Sequence, residues 1–186
     1  MATEERVELP GVLEHILRYC LKDAQETLQA GNEVVPFSAM AAGQTLFCEQ
    51  HSFDSPEACF ADARHTVEHA RGSQGYGFCY DGYVDTDEGR KDALIAQGGV
   101  PGDPQGYAIG LVYTIGEDGS FTFEDEPIYV GSCENYMAAL LPEEDDGETE
   151  ALSEAEVGED AEAAIEVVES ETDEVAIAGE SDAMED

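Results

Sequence analysis

Apolar side chains recur at steps of three and four through the first part of the chain. Because an α-helix has 3.6 residues per turn, this spacing places them along one stripe. The stripe consists of Leu13, Ile16, Leu17, Cys20, Leu21, Ala24 and Leu28. Pro10 suits an early helical position, and Gly31-Asn32 offers a left-handed stop. The pattern predicts one amphipathic helix between Pro10 and Ala30.

Two short apolar runs, 33–40 and 45–50, then flank the small residues 41–44 and predict a hairpin. Pro36 cannot donate a ladder hydrogen bond, so we expect the first strand to be an edge strand or to be bulged. Ser55-Pro56-Glu57 has the composition of a helix start. Apolar residues follow it at helical spacing, which predicts a second helix ending near Gly72.

Beyond Gly72 the apolar pattern changes to period two, which is typical of strands. We predict strands at 76–84, 92–97, 107–115, 120–123 and 127–130, with an irregular glycine-rich loop at 98–106. Strands joined by short connections pair antiparallel. The prediction is an α+β fold: an antiparallel sheet of about five to seven strands with two helices on one face.

The composition changes sharply after Leu141. Residues 142–186 contain 20 acids, no Lys or Arg and no aromatic residue, which leaves 24 acids and seven bases before them. A segment of this kind cannot bury enough apolar surface to offset its chain entropy. We therefore predict a flexible N-terminus at 1–9, a globular domain at 10–141 and a disordered acidic tail at 142–186.

The formal net charge of -37 excludes several functions. A chain this anionic is repelled by nucleic-acid phosphates and by anionic lipids. No apolar run approaches the roughly 18 residues that a membrane helix needs. The N-terminus lacks the features of a signal peptide. The five cysteines are dispersed and none forms a Cys-x-x-Cys pair, which is typical of reduced thiols. We expect a cytoplasmic protein that binds neither nucleic acid nor membrane.

One segment, 76–97, resembles a known pattern. Tyr80-Asp-Gly-Tyr-Val84, a polar turn containing Gly89, and Asp92-Ala-Leu-Ile95 together resemble a hairpin found in small bacterial proteins that carry no assigned chemistry. The resemblance implies a fold type and transfers no functional residues.

His65 and His69 have the spacing of metal ligands. On a helix, positions i and i+4 share a face, and Asp62 joins them one turn earlier. These three residues form a candidate metal site. The alternative is a pair of solvent-facing histidines, because His69 points away from the apolar stripe and Thr66 stands where a zincin motif has Glu.

Four tyrosines near the 97–106 loop form the second candidate site. Tyrosine offers a large contact area with few rotatable bonds, and glycine-rich loops adapt to a partner. The predicted partner-binding residues are Tyr76, Tyr80, Tyr83 and Tyr107. The alternative is that these side chains line the sheet and pack beneath the helices.

The sequence contains no nucleophile elbow and no phosphate-binding loop. Together with the charge, this favours a non-enzymatic interaction or regulatory protein without a cofactor, whose acidic tail engages a basic protein partner. One alternative is a small metal-dependent hydrolase that uses His65, His69 and Asp62. A third is a polyanionic mimic of nucleic acid. Mimicry requires acids arrayed on a rigid surface, whereas the densest acids of this chain lie in a segment predicted to be flexible. The oligomeric state stays open.

Overall fold

The computed structural model describes residues 7–142 and 166–169 of the chain. Its first element is helix α1, Gly11–Gln29, and all seven residues of the predicted apolar stripe are buried in it. The helix ends where Gly31 adopts a φ of 82°, a left-handed conformation that glycine accepts readily. The first predicted helix is thus confirmed together with its buried face.

The hairpin follows as β1, Phe37–Ala42, and β2, Thr45–Gln50. Contrary to the prediction from Pro36, β1 is neither an edge strand nor bulged, because it pairs in unbroken register with β2 on one side and with a third strand on the other. Pro36 precedes the strand, so its missing N–H interrupts no ladder bond. Its carbonyl accepts a hydrogen bond from the backbone N–H of His51, at 2.7 Å.

Helix α2 spans Pro56–Glu68. Its first turn has the composition that predicted it: Ser55 Oγ accepts a hydrogen bond from the N–H of Ala58 at 3.2 Å, and Pro56 occupies the first helical position. Such a cap typically contributes about 1 kcal/mol to helix stability.

Five more strands complete the main sheet. They are β3, Gly75–Thr86; β4, Gly89–Gly99; β5, Gly106–Ile115; β6, Phe121–Phe123; and β7, Ile128–Cys133. These seven strands pair antiparallel, as predicted, in the order β6-β5-β4-β3-β1-β2, and β7 lies beside β6 along the same edge of β5. The α+β class is confirmed.

The two helices lie on opposite faces of the sheet, and not on one face as predicted. On one face, α1 packs so close to β3 that a Cβ at Gly77 would lie 3.0 Å from Cys20 Sγ. On the other face, Phe60 of α2 stacks edge-on against Phe78, with ring centroids 4.9 Å apart. Alternate residues of β3 therefore point into two separate cores. Covering both faces buries five consecutive residues of β3, Gly75 to Cys79.

Four residues of the acidic segment are also described. Their backbone forms β8, Glu166–Glu169, which lies parallel to β2 with Thr45 opposite Glu166. The rest of the tail predicted to be disordered lies outside the described residues, apart from Pro142, as do residues 1–6 of the predicted flexible N-terminus. The boundaries at 9 and 141 stay predictions. Neither helix in the described part of the chain is long and apolar enough to cross a membrane.

Candidate functional site

The predicted metal residues belong to α2 and its C-terminal cap, but they have different neighbours. The rings of His65 and His69 lie 4.3 Å apart between centroids, and His69 Nδ1 lies 2.7 Å from the backbone carbonyl oxygen of His65. The carboxylate of Asp62 instead lies 2.6 Å from Nδ1 of a histidine outside the helix, His51. The structure thus brings Asp62 to a partner that the spacing along the helix did not indicate, and metal binding by His65 and His69 stays a prediction.

The four predicted tyrosines do not share one surface. Tyr76 and Tyr80 lie on the α2 face of β3, where Tyr76 is fully buried and Tyr80 packs beneath Phe60. Burial raises the pKa of Tyr80 to about 12, and its hydroxyl lies 3.3 Å from the Gln97 side-chain oxygen, to which it donates. Tyr83 is exposed on the opposite face. Packing beneath the helices, the alternative considered for the set, therefore describes Tyr76 and Tyr80.

The remaining two tyrosines lie on the α1 side of the sheet. Tyr107 packs against the edge of the core beneath α1. The Tyr83 ring carries the Arg90 guanidinium 3.9 Å above its centroid, a cation–π contact at the far end of the β3–β4 hairpin. A partner that touches both residues would have to reach across the length of the sheet.

A largely buried cluster of polar side chains joins β1, the residue after β2, and α2. Ser38 Oγ lies 2.8 Å from His51 Nε2, and His51 Nδ1 lies 2.6 Å from Asp62 Oδ2. An ionised carboxylate only accepts hydrogen bonds, so Nδ1–H donates to Asp62, and in a neutral ring Nε2 then accepts from the Ser38 hydroxyl. We call Ser38, His51 and Asp62 the His51 relay.

Local structure explains how the relay forms. Ser38 stands on an inner strand opposite Glu49 and Phe78, and the pleat turns its side chain towards α2. His51 directly follows β2, where its bond to the Pro36 carbonyl closes the hairpin. Its ring meets Phe78 edge-on, with centroids 6.0 Å apart. The Ser55 cap fixes the start of α2 and so places Asp62 over the imidazole.

The relay has the hydrogen-bond order of a nucleophile, a base and an orienting carboxylate. Acyl transfer would require a substrate carbon about 3 Å from Ser38 Oγ. Ser38 and His51 each have 0% of their surface exposed, and both belong to the packed layer beneath α2. A substrate therefore cannot contact the hydroxyl unless α2 moves away. In this arrangement the relay satisfies buried polar groups and fastens α2 to the sheet.

A second feature is the outer strand β7. Ile128, Tyr129 and Val130 are consecutive, and they are 41%, 42% and 45% exposed, respectively. The strand pairs with β5 on one side, and α1 packs mainly over β3 and β4, with only a few contacts to β5. The side chains of Ile128 to Val130 are consequently partly exposed to solvent. We call these three residues the β7 surface.

Carboxylates surround the β7 surface. Glu124, Asp125 and Glu126 precede it and are exposed, and Glu134 follows it. The Glu134 carboxylate holds the Arg64 guanidinium of α2, with Oε2 3.1 Å from Nη1. An apolar strand with acidic flanks favours a ligand that combines apolar and cationic groups.

A shallow groove of about 290 Å³ lies between α1 and the loop that follows β6. Its lining includes Arg18, Phe123 and Asp125. Arg18 is engaged by Glu14 at 3.0 Å and by Glu126 at 3.4 Å. Hydrogen bonds to these carboxylates, first to Glu14, raise the pKa of the guanidinium, and Lys22 also lines the groove.

Comparison with known proteins found no family model that matches the chain, no similar protein of curated function and no solved structure that matches the fold.

Proposed function

We propose that this protein is a non-enzymatic interaction module that binds a basic protein partner through the β7 surface. The observation that supports this proposal is the exposure of three consecutive large apolar side chains on an outer strand. Isolated exposed apolar residues are ordinary, but a continuous apolar strand edge invites pairing with another chain. Binding there would add a strand of the partner to the sheet.

The position of β8 supports the choice of this edge. The other edge strand, β2, already pairs with β8 along Thr45–Cys48. The register between β5 and β7 shifts at one point, where Ala108 pairs with Gly131 and Ile109 pairs with Tyr129, so Val130 is the extra residue of a bulge in β7 beside Gly131, whose φ is 152°. Bulges interrupt regular pairing, so an incoming strand would align with Ile128 and Tyr129.

The charge supports a basic partner. The chain carries 44 acids against seven bases, and 20 of those acids follow Leu141. Such a field accelerates encounter with a cationic protein and repels anionic ones. We further propose that the protein acts in the cytoplasm. Its five cysteines are free thiols, which fits a reducing compartment.

Two pairs of matched variants test this proposal. Tyr129→Ser removes an aromatic anchor from the β7 surface, and Tyr83→Ser removes an exposed tyrosine from the opposite end of the sheet. Asp125→Lys places a cation beside the surface, and Asp87→Lys makes the same change of charge in the β3–β4 turn. Full-length protein and each variant would be used to capture proteins from native lysate at low salt, with quantification by mass spectrometry.

We expect a basic protein to be retained by the wild type, by Tyr83→Ser and by Asp87→Lys. Tyr129→Ser and Asp125→Lys should each capture at least about fivefold less of this protein, as expected for the loss of an interface anchor. Retention should also fall as salt is raised. Failure of the wild type to retain any basic protein would refute the proposal. Equal losses in both members of a pair would show that the binding surface lies elsewhere.

A further inference from the structure

The exposed side chain of Glu49 extends the His51 relay to the surface. Each of Glu49, His51 and Asp62 has a potential metal-ligand atom, and these three atoms lie within 4.8 Å of one another. Glu49 lies on β2, His51 directly follows that strand, and Asp62 lies on α2. Among the described residues, this group brings a histidine and two carboxylates to a single point.

The histidine of this group is held in a fixed orientation. Its ring is fully buried, and Nε2 is fixed to Ser38 Oγ at 2.8 Å. The opposite nitrogen, Nδ1, points to Asp62, whose side chain is 35% exposed. Metal-binding histidines in proteins typically bond a second protein group through the nitrogen that does not coordinate, which fixes the ring. Ser38 is placed to be that second group.

We propose that Glu49, His51 Nδ1 and Asp62 bind a divalent transition-metal ion of the zinc class. Imidazole nitrogen and carboxylate oxygen are ligands that Zn²⁺ accepts, and three protein ligands leave the fourth tetrahedral position to water. Glu49 is exposed and Asp62 is partly exposed, so both carboxylates face solvent, and an ion reaches the buried Nδ1 between them when the Asp62 carboxylate moves aside.

Binding requires a small rearrangement. Nδ1–H now donates to Asp62 Oδ2 across a heavy-atom distance of 2.6 Å, whereas two ligand atoms of a tetrahedral zinc ion lie about 3.4 Å apart. The Asp62 carboxylate must therefore withdraw by somewhat less than 1 Å. The metal replaces the Nδ1 proton, and the neutral ring then carries its proton on Nε2, from which it donates to Ser38 Oγ. Metal binding thus switches the tautomer of His51.

This site differs from the predicted set of His65, His69 and Asp62, and it is independent of the β7 surface. It shares Asp62 with the predicted set, so a variant of Asp62 does not separate the two. Glu49 belongs only to the proposed site, and His65 and His69 belong only to the predicted one.

Calorimetric titration of the full-length protein with Zn²⁺, in excess Mg²⁺ to saturate weak carboxylate sites, measures binding. Glu49→Gln should weaken binding by at least about tenfold, since the loss of even an outer-shell contact has that effect. The double variant His65→Gln/His69→Gln and the control Glu57→Gln, at an exposed carboxylate of α2, should bind as the wild type does. Unchanged melting temperatures would show that the variants fold.

Nitrogen NMR of the histidine rings provides a readout that a purely structural role would not change. We expect Zn²⁺ to convert His51 from a ring protonated at Nδ1 to one metallated at Nδ1 and protonated at Nε2, and we expect no conversion in Glu49→Gln. The proposal is overturned if the wild type binds no Zn²⁺ above the Mg²⁺ background, if Glu49→Gln binds equally well, or if binding disappears in His65→Gln/His69→Gln.

Discussion

Removal of the Ser38 hydroxyl tests the structural role of the His51 relay. Ser38→Ala deletes the donor that now bonds His51 Nε2 at 2.8 Å. The change creates almost no cavity, because alanine retains the Cβ and loses one oxygen atom. The imidazole stays in place, held by its bond to Asp62 at 2.6 Å and by the Phe78 ring. Its Nε2 then has no hydrogen-bond donor.

The expected loss follows from burial. Because His51 has 0% of its surface exposed, water does not replace the lost donor without displacing packed side chains. A buried polar group left unsatisfied costs about 1–3 kcal/mol of unfolding free energy. A loss of about 2 kcal/mol corresponds to a fall of roughly 4–8 °C in the melting temperature of a domain of this size.

Urea unfolding followed by circular dichroism measures this difference, and an equal m-value in both proteins would confirm that the unfolded states are comparable. Ser132→Ala is the matched control, since Ser132 is exposed on β7 and its replacement should change stability by no more than about 0.5 kcal/mol. If Ser38→Ala is no less stable than Ser132→Ala, the relay does not fasten α2 to the sheet.

Two other positions give predictions of different kinds. Gly98→Ala should lower the free energy of unfolding by more than about 3 kcal/mol or prevent folding, because the new Cβ would lie 1.9 Å from the backbone oxygen of Tyr76. The control is Gly11→Ala, whose new Cβ has no atom within 4 Å and which should fold normally in the same urea assay. At Asp81, burial raises the carboxyl pKa above its ordinary value of 3.8, against the opposing effect of the hydrogen bond that Tyr113 donates at 2.8 Å. The folded state therefore binds the Asp81 proton more tightly than the unfolded state does. The contribution of Asp81 to the free energy of unfolding then falls as pH rises from the ordinary pKa through the raised one. Asp81→Asn should lack this decline in urea unfolding between about pH 3 and pH 6, and a variant with the same pH dependence as the wild type would contradict the assignment.

The secondary structure could be predicted because its signals are local. The stripe from Leu13 to Leu28 has helical period, and the Ser55-Pro56 start has cap chemistry. Long-range packing decides which face of the sheet each helix covers, and the local pattern does not show it. One signal was nonetheless present: the run from Gly75 to Cys79 is uniformly apolar or small, which is typical of a strand buried on both faces. The prediction of two helices on one face of the sheet instead gives this run a single buried face.

The His51 relay could not be predicted from spacing. Ser38 and His51 lie 13 positions apart, and Asp62 lies 11 further on, so no helix or strand period relates them. The hairpin register and the start of α2 bring them together. His65 and His69, by contrast, have the i, i+4 spacing that is recognisable in a sequence. A single histidine at the end of a strand, close to a capped helix, is the weak signal that was available.

Site-specific photo-crosslinking in living cells tests the proposed interaction most directly. A benzophenone amino acid would replace Tyr129 in the β7 surface and, as the control, Tyr83 at the far end of the sheet; both side chains are exposed in the free protein. We predict that irradiation links the protein at position 129 to a basic protein, and that position 83 gives no such adduct. Absence of an adduct at 129, or the same adduct at both positions, would contradict the proposal that β7 is the binding edge.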